Sequence, residues 1–201
     1  MKPPARGGPD WPVAALAAAG LAVSAYLTGA KLAGATALFC ESGSGCDVVQ
    51  ASRYAVFLGL PTAAWGAGLY LVIGGLALAG LPPRRWLGAF VLAVAAVAFS
   101  AYLTFLAVFE LSAVCPWCLA DAAIAVALLA VLLARRPAAT GRRSWVRPRR
   151  LATLGVLTAT ATIVFGMGVF VADAPTAGSA YQEALARHLT ASGAIFYGAY
   201  W

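Results

Sequence analysis

The sequence predicts an all-α integral membrane protein, and three observations carry that prediction. Of its 201 residues, 62% are hydrophobic and only 10% are charged, with a mean hydropathy of +0.84. A soluble domain carries roughly 25% charged residues. Five apolar stretches of about 20 residues recur, each long enough at about 1.5 Å per residue to cross a hydrocarbon core of about 30 Å. The basic residues gather in alternate links between those stretches. Together these observations exclude a disordered chain, a collagen and a soluble globule.

In order, the spans fall at Val13–Ala33, Leu60–Leu81, Trp86–Phe109, Val114–Ala134 and Leu151–Ala172. The Ala-rich start of the first also fits a cleavable signal peptide. The apolar run continues to Ala30, which favours an uncleaved span. Only two charges lie inside the spans, Lys31 and Asp121. Lys31 is near enough to its span's end to snorkel to the interface. Gly66, Gly68, Gly74 and Gly75 on the second span would let helices pack closely.

Orientation follows from the 14 Lys and Arg, which outnumber the acids and give a net charge of +7. Eleven of them fall in the N-terminal tail (1–12), the link after the second span and the link 135–150. Lys31, Arg53 and Arg187 fall on the other side. The positive-inside rule then places the N-terminus in the cytoplasm and the C-terminus outside. The arginine-rich link reads as a solvated loop beside anionic lipid rather than a nucleic-acid site. On this topology all four cysteines reach the oxidising face.

The segment Ser24-Ala25-Tyr26-Leu27-Thr28 recurs as Ser100-Ala101-Tyr102-Leu103-Thr104. A cysteine follows each copy at nearly the same offset, Cys40 after the first and Cys115 after the second. Two helix pairs that each deliver a cysteine pair to one surface would explain this, against coincidence in an Ala/Leu-rich chain.

Cys115-Pro116-Trp117-Cys118 opens the fourth span. Pro116 suits the first helical position, which makes Cys115 the N-cap, where the helix dipole favours a thiolate. Cys118 lies one turn deeper on the same face. Such a pair reads as a redox centre, a metal half-site or inert thiols, and its place on the oxidising side favours redox. Cys40 and Cys46 bracket a loop in which Gly43 and Gly45 give the freedom to close a disulfide or open one. From Cys46, the segment Asp47–Leu58 reads as a short helix with Val48, Val49, Val56 and Leu58 on one side. Ser52 falls on that side, where its hydroxyl either meets a thiolate or carbonyl of the bundle or bonds its own backbone. Gly59-Leu60-Pro61 turns the chain into the second span. Two cysteine pairs, one at membrane depth, can exchange through a mixed disulfide and pass electrons from an aqueous thiol to a lipid-soluble acceptor, for which a quinone is the natural choice.

The combination Cys40-x5-Cys46, Ser52, Gly59-x-Pro61 and Cys115-x-x-Cys118 resembles bacterial homologues of vitamin K epoxide reductase over nearly the whole chain. The resemblance implies a four-helix bundle (13–134, outer loop 34–59) around a quinone, a fifth transmembrane helix (151–172) and a thioredoxin-like domain beyond it. It implies that Cys118 meets the quinone, that its partner Cys115 exchanges with Cys46, and that Cys40 faces a thioredoxin-like thiol partner. Ser52 matches a hydroxyl near the active cysteines. Phe57, Pro61, Trp65, Trp117 and Asp121 stand as quinone-binding or supporting residues, for ubiquinone, menaquinone or another vitamin K-like quinone, with no metal. Vertebrate members place a tyrosine on the fourth span and an asparagine on the second. Ala122 stands near the first of these places and the second span has no asparagine. Quinone reduction coupled to disulfide formation is therefore implied, rather than epoxide reduction.

Beyond the fifth span, Ser179–Ser192 reads as a helix capped by Ser179, and Ala194–Trp201 as a strand. The remainder (173–201) is too short for an independent domain, so a truncated fusion or a partner acting in trans is expected. A soft-metal transporter is the alternative function, though one buried acid and two methionines leave it few ligands. Asp121, one turn below Cys118, either donates protons to the quinone or fixes packing through Ser100 or Tyr102.

Overall fold

Helices α1 (Trp11–Leu32) and α3 (Thr62–Leu78) form the most extensive helix pair of the computed structural model. The model describes residues 8–35, 37–38, 40–41, 43–137, 146–172 and 180–193. Small residues set the approach of the pair. Ala17 meets Gly74, Gly20 meets Tyr70 and Ser24 meets Gly66, so each turn up α1 is a turn down α3 and the helices are antiparallel. A Cβ on Gly20 would lie 2.5 Å from the Tyr70 ring, which is itself buried. Gly66 and Gly74 do border α1, whereas Gly68 and Gly75 face open space and serve no helix contact.

Helix α5 (Pro116–Ala134) packs on the other side of α1, and α4 (Pro83–Phe109) packs on α5 and α3, which closes a four-helix ring. Helix α6 (Pro148–Ala172) lies outside the ring against α4. Helices α1, α4, α5 and α6 are long and apolar enough to span a membrane. At 17 residues, α3 is shorter than the stretch Leu60–Leu81 suggested and sits at the lower limit for a span. Leu60–Pro61 is drawn into a hairpin, and the helix stops before Gly80, whose φ is +82°.

One half of the bundle is filled and the other is hollow. Toward the arginine-bearing end, Val13, Tyr70, Ile73, Trp86, Leu128 and Leu132 form a continuous core. Trp86 donates its indole N–H to the Leu132 carbonyl at 3.0 Å. The Asp10 amide donates to Ala77 O at 2.9 Å, and its carboxylate pairs with Arg135 at 3.0 Å. These bonds tie the ends of α1, α3, α4 and α5 together.

At the cysteine end, the loop between α1 and α3 folds into α2 (Gly45–Ala51), one 3₁₀ turn (Arg53–Ala55) and a two-residue hairpin, β1 (Val56–Phe57) with β2 (Leu60–Pro61). This corrects the expected helix over Asp47–Leu58. The Ser52 hydroxyl donates to Val49 O at 2.7 Å and ends the helix. Val56 pairs with Pro61 and Phe57 with Leu60 across a Leu58–Gly59 turn with φ of +51° and +77°. Two left-handed residues are what a tight hairpin turn demands, and glycine supplies one without strain. Tyr54 and Phe57 are therefore the buried side chains here, while Val48, Val56 and Leu58 are exposed. Lys31, in the last turn of α1, reaches the outer loop: its ammonium donates to Gln50 O at 2.6 Å, near the C-terminus of α2 where a cation is favourable.

Helix α7 (Ala180–Ala191) matches the expected helix of the tail, whose cap Ser179 and strand Ala194–Trp201 lie outside the described residues. Gly20→Ala should overpack the α1–α3 contact by about 1–3 kcal/mol. The thermal midpoint in detergent is expected to fall, and to recover when Tyr70 is also reduced to Leu; an unchanged midpoint in Gly20→Ala would contradict the close contact.

Candidate active site

Cys115 is the N-cap of α5, with Pro116 at the first helical position. Its Sγ accepts the Cys118 backbone N–H at 3.3 Å, so the sulfur occupies the place a capping oxygen normally takes. Cys115 stands just ahead of the spanning segment. The hydrogen bond from the Cys118 thiol lowers it most, to about 7, with help from the Cys118 and Trp117 backbone N–H groups and against the cost of burial.

Opposite it, Cys40 and Cys46 form a disulfide. The Cys46 sulfur lies 3.9 Å from the Cys115 sulfur, and Cys40, Cys46 and Cys115 are all buried in one cluster. Gly45 makes this approach possible. A Cβ there would stand 2.6 Å from the Val114 carbonyl oxygen, so α2 presses backbone to backbone on the residue before Cys115. The sequence suggested flexibility for this glycine, but the structure uses it for proximity. Ser44 caps α2 by accepting the Asp47 amide at 3.4 Å, and Asp47 in return accepts the Gly43 amide at 3.0 Å.

The rest of the loop is pinned to the helix ends. Trp117 donates to Leu38 O at 2.8 Å, and the Tyr26 hydroxyl accepts the Leu38 amide at 2.7 Å. The two rings lie 5.3 Å apart between centroids. Arg53 hydrogen-bonds the Tyr54 hydroxyl and pairs with Glu110 at 3.1 Å. The Tyr54 bond holds the Arg53 charge more firmly still, and burial pushes the Tyr54 phenol up.

Below the cysteines lies an apolar cavity of about 870 Å³. Cys115, Cys118 and Asp121 form its α5 wall, and Phe57 and Pro61 of the hairpin border it. Trp65 lines it as well and donates to Phe57 O at 2.9 Å, fixing hairpin to α3. Ser52 and Trp117 do not border the cavity: the first bonds the Val49 carbonyl and the second pins the loop. The cavity continues between α3 and α4 past Val72, which is 52% exposed, so it opens toward the lipid side.

Asp121 does not bond to Ser100 or Tyr102 of α4, as its packing role suggested. Ser24 of α1 donates to its carboxylate at 3.3 Å, and the Tyr70 hydroxyl of α3 donates to its backbone carbonyl at 3.3 Å. The two Ser-x-Tyr copies thus diverge in use. Ser24 is buried beside the acid and Tyr26 holds the loop, whereas Tyr102 packs against Phe170 of α6. Their local bonds do repeat, with Thr28 donating to Ser24 O and Thr104 to Ser100 O. Tyr70 was missed by sequence reading; a phenol in an otherwise apolar helix was the available signal.

The model of the vitamin K epoxide reductase family matches residues 11–133. The chain belongs to that family. It is therefore a multi-pass membrane oxidoreductase, of a family whose members couple disulfide formation to quinones. The match runs from the start of α1 to the last turn of α5 and takes in all four cysteines.

A free thiol at Cys115, 3.9 Å from the sulfur of Cys46 in the Cys40–Cys46 disulfide, allows the two to exchange. In Cys118→Ser, which keeps a hydroxyl donor, the Cys46–Cys115 mixed disulfide should accumulate. Because the thiolate attacks, its yield should rise with pH. Mass spectrometry of alkylated peptides reads it, and failure to find the Cys46–Cys115 linkage at any pH would contradict the exchange.

Proposed function

We propose that this protein makes disulfides in partner proteins and delivers the electrons to a membrane quinone. The observation that carries the reading is the 3.9 Å approach of Cys46 to Cys115, which joins a closed disulfide to a dithiol beside an apolar cavity. The donor is a thioredoxin-like dithiol, fused or in trans, which reduces Cys40–Cys46. Cys46 as thiolate then attacks Cys115 of an oxidised Cys115–Cys118 pair and releases Cys118. Cys40 resolves the Cys46–Cys115 bond, which restores Cys40–Cys46 and leaves two thiols at 115 and 118.

A quinone bound in the cavity accepts two electrons and two protons. The two thiols supply both, and the Cys115–Cys118 disulfide closes, so atoms and electrons balance. The residues fit such a molecule: an apolar chamber of sufficient size, a thiol in its wall at Cys118 and hydrogen-bonding groups at its edge. The Cys40–Cys46 bond also removes two sulfurs from any soft-metal site, which favours redox over metal transport. Lys and Arg placement supports an orientation with the cysteines on the outer face, and the resemblance to bacterial homologues favours a bacterial inner membrane.

Asp121 has a proton-carrying role in this scheme. It shares the cavity wall with Cys118, one turn away, and Ser24 orients its carboxylate. It takes the proton that leaves the Cys118 thiol and passes it to the acceptor oxygen. The titratable groups sharing its cavity are Tyr70 on α3, Lys31 on α1, Tyr54 of the outer loop, Cys118 on α5 and Cys115 at its N-cap.

With a small membrane-permeant dithiol as donor and a quinone absorbance assay, Cys118→Ala should abolish turnover. Cys40→Ala should lose activity with a thioredoxin-like donor and keep part of it with the small dithiol. Equal loss of both variants with the small dithiol would defeat this division of labour. Asp121→Asn should slow turnover by about 10²-fold, as loss of a proton-transfer group does, and flatten the pH profile. A parental rate and profile in that variant would reduce Asp121 to a packing role.

A further inference from the structure

We infer that helix α6, which lies outside the matched residues 11–133, is a wall of the quinone cavity and the clamp of its hairpin roof. The inference rests on the quinone reading above and adds to it the element that meets the apolar tail of a lipid quinone.

Most of α6 faces outward. Val156, Leu157, Val164 and Val171 are all more than half exposed, as suits a helix in lipid. Its N-terminal half rests on the main core through Leu151 and Ala159, and its contacts with the cavity and the hairpin fall between residues 162 and 170. Thr162 and Phe165 line the cavity together with Phe99 of α4. Gly166 allows this, because a Cβ there would stand 3.1 Å from the Phe99 ring. The Thr162 hydroxyl is spent on Thr158 O at 2.8 Å, so it brings no unpaired donor to an apolar wall. Phe165 is 59% exposed although it lines the cavity, which places it at the boundary between cavity and lipid.

The same stretch grips the roof. Phe170 is buried between Tyr54 and Phe57, with centroids 5.1 and 5.4 Å away, and Phe165 lies 5.9 Å from Phe57. A lipid quinone has a planar head and a long apolar tail. With the head at Cys118, the tail must leave through the lipid-side opening between α3 and α4, where α6 supplies the flanking surface. The position of α6 therefore sets which tails fit, and it meets the head region only through the hairpin it holds.

The test compares a tail-less quinone with one bearing a decyl tail, using the small dithiol as donor. Thr162→Trp narrows the opening and should raise KM for the tailed quinone about tenfold more than KM for the tail-less one. Phe165→Ala removes apolar wall and should raise the tailed KM severalfold with the same selectivity. Trapping of Cys46–Cys115 in the Cys118→Ser background should be unchanged in both. Equal effects on the two quinones, or none on either, would overturn the assignment of α6. A parent protein that reduces neither quinone would overturn the underlying quinone reading and this inference with it.

Discussion

Two sulfur atoms 3.9 Å apart, Cys46 Sγ and Cys115 Sγ, set the demand that the rest of the molecule meets. Thiol–disulfide exchange needs the attacking sulfur close to one particular sulfur of the target bond. One partner here belongs to a loop and the other to a helix end, 69 positions apart in sequence. Holding them together requires an α-helix start with a sulfur as cap, a glycine that lets two backbones touch, and a loop that cannot drift. Gly45, Ser44, Lys31, Trp117 and Tyr26 each supply part of that restraint.

The uneven filling of the bundle serves the same end. The arginine-bearing half is packed with Trp86, Tyr70, Leu128 and Leu132 and closed by the Asp10–Arg135 pair. That half supplies apolar burial, the main favourable term in folding. The other half can then stay open around Cys118. Small residues on α3 and the roof made by Phe57 and Trp65 border a chamber instead of filling it. A carboxyl group at Asp121 survives there because α1 and α3 each provide a hydroxyl donor, one to its side chain and one to its backbone.

The described residues also show how one short sequence can serve two structural purposes. In both Ser-x-Tyr copies the threonine bonds back to the serine carbonyl four residues earlier, a local effect. Both serines border the cavity, but the partners of the two copies differ, because one faces α3 and α5 while the other faces the hairpin and α6. Sequence identity preserved the helix and left the partners to the topology.

The sequence by itself determined the membrane class, the location of the helices to within a few residues, and the placement of all four cysteines at one end. Hydrophobic run length and the capping preference of Cys115-Pro116 are local properties, and they act before any tertiary contact forms. Only the tertiary structure decided the loop. Helix periodicity favoured one helix over Asp47–Leu58, but the Ser52 bond to Val49 and the left-handed Leu58–Gly59 turn broke it and reversed which side chains are buried. It decided the partners of Asp121, since a helix face can be read from spacing but the neighbouring helix cannot. It also decided that Gly20 and Gly45, rather than Gly68 and Gly75, are the glycines a close approach requires. A missing Cβ matters only where another backbone or ring arrives, and distant parts of the chain determine that arrival.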